Sequence, residues 1–115
     1  MKKFFSIMAS AIIILLLRVN AASAHPPSKI ELSYDDKEHM LTVDIAHVTS
    51  DVVKHHIRKI TVYKNDEELE SYYFVKQTPQ GLVDKIPLEA KSGDNIRVKV
   101  ICKEAGYKEE SLVIP

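Results

Sequence analysis

The sequence carries no net charge: 16 Lys and Arg residues stand against 16 Asp and Glu in 115. That balance removes the electrostatic footprint of a nucleic-acid binder. There is a single cysteine, Cys102, so no disulfide can close within the chain. Small exported domains often compensate for thin cores with disulfides; here the thiol is buried and inert, paired with another chain, or bound to something. No apolar run reaches the ~20 residues that cross a hydrocarbon core. The longest, residues 4–17, stops at Arg18. Internal repeats, low-complexity linkers and stretches of helical period are likewise missing. With 45% hydrophobic and 28% charged residues, the composition fits neither a disordered chain nor a multi-span membrane protein. The length allows one small domain.

What is present begins with an export signal. Lys2 and Lys3 make a positive start, Phe4 to Leu17 is almost continuously apolar, and Ala22-Ser23-Ala24 is a small-x-small cleavage site. Residues 1–24 are therefore expected to be a signal peptide. Residues 25–115 are expected to be one domain that begins with His25 once the bond after Ala24 is cut. No cysteine near that bond offers a lipid attachment. Loss of Lys2, Lys3 and Arg18 leaves 13 basic against 16 acidic residues. The expected product is a mildly acidic exported protein, periplasmic or extracellular, with no membrane attachment after cleavage.

The remaining chain reads as strands and turns. Ile30 to Tyr34 alternates apolar with polar, and Asp35-Asp36-Lys37-Glu38 is a turn. Leu41, Val43, Ile45 and His47 share one parity, which places His47 at the end of an apolar row. Residues 57–63 and 69–75 are β-branched and aromatic runs flanking the turn Lys64-Asn65-Asp66-Glu67. A fifth strand spans 82–88, with a bend at Pro87. After the turn Ser92-Gly93-Asp94, the row Ile96, Val98, Val100 and Cys102 points inward, and Leu112 to Ile114 closes the set. Seven short strands at this spacing predict an all-β, immunoglobulin-like β-sandwich.

His47 and Cys102 each end an inward row, which brings both side chains to a rim of the sandwich. The loop after His47 returns the pair His55-His56 eight residues later. Imidazole nitrogen and thiolate sulfur together suit iron, zinc or copper. A buried inert thiol and a hydrogen-bonded histidine at the core's edge account for the same residues without a metal. The spacing leaves both readings open. His39 falls in a turn-like stretch and receives no role.

Taken together, His25-Pro26-Pro27, then His47 with His55-His56-Ile57, then Cys102 with Gly106, resemble the iron-binding domain of the superoxide reductase (desulfoferrodoxin, neelaredoxin) family. In that family a His-x-Pro element opens the domain, a His-Pro-Met loop leads to His-Tyr-Ile, and a late Cys-Asn-x-His-Gly loop completes the site. The resemblance covers the whole of residues 25–115. It implies one mononuclear, non-haem iron held by His25, His47, His55 and an axial Cys102 thiolate. It further implies reduction of superoxide to hydrogen peroxide with an external electron donor. Lys54, Lys103 or the α-amino group of His25 would supply positive charge for the anion. The lone cysteine excludes the additional four-cysteine iron centre of some family members.

The sequence departs from the family pattern in four places. The loop between His47 and His55 is two residues longer, and Val48 replaces a proline. His56 stands where the family has tyrosine, so His55 is the expected ligand and His56 its one-residue alternative. Ala105 occupies the position of the last histidine, which leaves at most three imidazoles and one thiolate. The Glu-Lys pair that precedes the first histidine is absent. Such a reduced set also suits zinc in a closed tetrahedron, and a free N-terminal His25 suits copper through its amine and ring. The alternative function is a non-enzymatic exported sandwich, a metal- or protein-binding module with a degenerate redox site.

Overall fold

Successive side chains of an extended chain point to opposite faces, so alternating patterns bury one face of a sheet. The computed structural model describes residues 25–104 and 106–115. It contains β1 (Lys29–Asp35), β2 (Met40–Ala46), β3 (Ile57–Lys64), β4 (Glu67–Tyr73), β5 (Gly81–Pro87), β6 (Asn95–Cys102) and β7 (Tyr107–Val113). The expected signal segment, residues 1–24, and Ala105 lie outside the described residues. One sheet has the order β1-β2-β5 and the other β4-β3-β6-β7, with every pairing antiparallel. The expected seven-stranded, immunoglobulin-like sandwich is the architecture found, with β4 on the sheet of β3.

Two strands differ from expectation. The last one begins at Tyr107 instead of Leu112 because Tyr107-Lys108-Glu109-Glu110-Ser111 forms a sheet edge and carries no apolar row. The fourth lies at 67–73 instead of 69–75. Asn65 and Asp66 both adopt positive φ, 50° and 68°, as a two-residue hairpin turn requires, so the return strand starts at once. Its exposed Glu67, Glu68 and Glu70 charge the sheet edge and discourage pairing with another chain.

The two parity rows meet as the core. Leu41, Val43 and Ile45 from β2 and Ile96, Val98 and Val100 from β6 are at most 2% exposed. Ile57, Ile60 and Val62 of β3 join them. Each such side chain contributes roughly 1.5–3 kcal/mol of burial.

Both crossovers between the sheets that flank the β3-β4 hairpin, residues 47–56 and 74–80, lie at one end. They are bonded to each other there: His47 N–H donates to Gln80 O, Thr49 N–H to Pro79 O and Gln77 N–H to Val52 O, at 2.9, 3.0 and 3.3 Å. The β6-β7 turn joins them through Lys103 N–H donating to His56 O at 3.0 Å. Gly106 takes φ +60°, and a side chain there would reach Pro26 at 3.7 Å. The N-terminal His25-Pro26-Pro27 segment is thereby laid against the same end, with Pro27 buried.

Candidate metal centre

Two core rows run out at this end into polar donors. The β2 row continues to His47, which is fully buried, and the β6 row ends at the buried thiol of Cys102. The loop between them closes on itself before β3 begins. Thr49 Oγ1 accepts from Asp51 N–H, Asp51 Oδ1 accepts from the Val53 and Lys54 amides, and His55 N–H donates to Asp51 O at 2.9 Å. Short oxygen-bearing side chains that cap neighbouring amides are what turn the chain here. The Lys54 and Val53 amides hold the Asp51 carboxyl below the ordinary carboxylate range.

The loop returns His55 to the end of the two rows. One donor atom each from His47, His55 and Cys102 lies within 4.8 Å of the others. Two donors on one ion stand no farther apart than the sum of their bonds, about 4.0–4.6 Å for nitrogen and sulfur. A contraction of a few tenths of an ångström would close the set on a shared ion. The imidazoles of His47 and His55 meet edge to face at 4.7 Å between centroids. His55 Nε2 is buried and has no hydrogen-bond partner among the described residues. Leaving such a group unsatisfied costs about 1–3 kcal/mol, a cost that coordination to a cation removes. The donor set and this orphaned nitrogen both fit a metal ion.

The other sequence candidates fall as follows. His25 stands beside the cluster, its ring 5.5 Å from those of both His47 and His55. Its carbonyl oxygen is 3.2 Å from His47 Nε2, and its own Nδ1 faces Pro26 O at 3.1 Å. His56 is engaged on both ring nitrogens, Nδ1 at 2.7 Å from Val53 O and Nε2 at 3.0 Å from Phe74 O. It latches the loop to the neighbouring crossover, whereas His55 keeps a free donor. His39 contacts Tyr34 Oη at 3.3 Å. Lys54 and Lys103 are exposed on the loops that flank the cluster. Periodicity gave no indication of Gln77, a buried side chain between His47 and the first residue of β3. It sits in an irregular crossover whose polar sequence looks like any surface loop.

An all-β sandwich with a His/His/Cys cluster at one end is thus the class that fold and site define. Superoxide reductase (neelaredoxin) from Ignicoccus hospitalis is similar, with a TM-score of 0.53 and 21% identity over 78% of this chain and 79% of that chain. A Glu-to-Ala variant of the same protein is similar at a TM-score of 0.53 and 20% identity, over 84% of this chain and 83% of that chain. At this identity the likeness establishes the fold, and it is the fold that the sequence resemblance implies. No protein-family model matches the chain, and no curated protein matches it in sequence.

Proposed function

We propose that this chain is an exported, divergent relative of the superoxide reductases that holds one iron ion and reduces superoxide with an external electron donor. The observation that carries the reading is the convergence of His47, His55 and Cys102 around a buried, unpartnered imidazole nitrogen. Support comes from the likeness to superoxide reductase (neelaredoxin) from Ignicoccus hospitalis. His25 is the fourth proposed ligand, since its ring lies next to the other two. Ferrous iron bound there would supply one electron, and two protons complete the conversion of superoxide to hydrogen peroxide. The chain's own residues orient the donors, shield them from solvent on the core side and place Lys54 and Lys103 at the rim, where cations attract an anion. Exposed Val48, Val53 and Val75 give an electron donor apolar contact beside the loops that carry the site.

Ala105 favours a second reading, in which the scaffold retains a metal and has lost turnover. Metal analysis and visible spectroscopy of the protein recovered from cells making the full chain separate the two. Iron with a sulfur-to-iron charge-transfer band, abolished in Cys102→Ser, and oxidation by superoxide support the first. A stable iron or zinc complex inert to superoxide supports the second. Colourless, metal-free protein removes both.

A further inference from the structure

Gln77 lies on neither sheet, yet all of its side-chain hydrogen-bonding capacity is used within the protein's interior. Its Nε2 donates to His47 O at 2.5 Å and to Thr78 O at 2.9 Å. Its Oε1 accepts from Ile57 N–H at 2.8 Å and lies 2.7 Å from His47 Nδ1. Two carbonyls facing one end of the amide and a backbone N–H facing the other leave only one orientation of that amide. The atom next to His47 Nδ1 is therefore an oxygen that can only accept, so Nδ1 must carry the proton. A neutral imidazole has one N–H, so Nε2 retains its lone pair.

We propose that Gln77 is a positioning residue: it fixes the ring proton of His47 on Nδ1 and leaves Nε2 as the donor for a metal ion. The same side chain also ties the backbone of His47 to the first residue after the His55-His56 pair, so one amide sets both the tautomer and the spacing of two ligand-bearing segments. The rival acceptor for a ring proton is His25 O, 3.2 Å from Nε2. That contact is longer than the one to Gln77, and it belongs to an exposed residue at the start of the described chain. Gln77 is 6% exposed. An outer partner of this kind typically changes metal affinity tenfold to a hundredfold when removed.

This inference rests on reading the cluster as a metal site, but its primary test needs no metal. Long-range nitrogen–proton NMR of the metal-free, processed protein at about pH 8, above the ordinary imidazole range, reads the ring proton of His47 directly. Protonated Nδ1 with unprotonated Nε2 is expected; protonated Nε2 overturns the proposal whatever the variants do. Gln77→Met and Gln77→Glu then separate positioning from stapling, because both lose the donations to His47 O and Thr78 O while only Glu retains an acceptor for Nδ1–H. Gln77→Met is expected to lose the Nδ1–H preference and to bind anaerobically added ferrous ion ten to a hundred times more weakly. Gln77→Glu is expected to keep the tautomer and to shift a bound iron to lower potential. Wild-type tautomer in Gln77→Met refutes the assignment. Wild-type protein that takes up no ferrous ion defeats the proposed function, while the ring-proton result still decides the role of Gln77.

Discussion

At the scale of single residues, the site is defined by what each imidazole already does. His56 spends both nitrogens on carbonyls, His39 meets a tyrosine hydroxyl, and His55 keeps a buried nitrogen with no partner among the described residues. Replacing His55 with Ala should abolish stoichiometric metal binding, while His39→Ala should leave it within twofold, as read by metal analysis after dialysis. Adjacent histidines could not be told apart by sequence pattern, because the loop before β3 sets which ring turns inward. Acid sensitivity is also a residue-scale property. Asp94, at the opposite end, accepts from Lys91 N–H and Asn65 Nδ2, each at 3.0 Å; these bonds hold its carboxyl below the ordinary range. A carboxyl depressed in the folded state contributes stability above the unfolded value, near 4, that disappears as pH falls through the folded one. Asp94→Asn should therefore unfold more easily in urea at pH 7 and lose less further stability than wild type below about pH 5. Parallel acid limbs in the two proteins would contradict this.

At the scale of elements, the end of β2 depends on the start of β5. Ala46 pairs with Gly81, where φ is +148° and an added Cβ would sit 1.9 Å from Ile45 O. Gly81→Ala must push β5 away from the strand that delivers His47. It should cost at least the ~1–3 kcal/mol of a strained backbone position and weaken metal binding as well, read by urea unfolding and metal titration together. Both rows that lead to the site were legible in the sequence, since period-2 alternation reports inward faces directly. The edges were not. Residues 107–111 and 67–68 form strands through backbone pairing and surface side-chain contacts such as Arg97 with Glu109, and their mostly polar side chains carry no periodic signal. Gln77 was hidden for a related reason: its importance lies in four interior hydrogen bonds, which hydrophobic patterning does not register.

At the scale of the whole molecule, the segments that carry the proposed ligands come from the front half of the chain and from β6, so a bound ion would bridge both sheets. Any ion that binds only the folded state adds about 2.7 kcal/mol at a hundred times its Kd, which for a domain of this size raises Tm by roughly 10 °C or more. Ferrous ion added anaerobically should produce such a shift by calorimetry, a chelator should reverse it, and Cys102→Ser should not show it. An equal shift in Cys102→Ser would place the ion elsewhere. The rows that end in His47 and Cys102 are continuous with Ile45 and Val100, both among the most deeply buried side chains. Small movements of the packed interior would thus reach the proposed ligands, and an iron-loaded protein would carry its own optical strain gauge. Val100→Ala, which touches no donor, should displace the absorption maximum before it measurably changes the circular dichroism of the sheets.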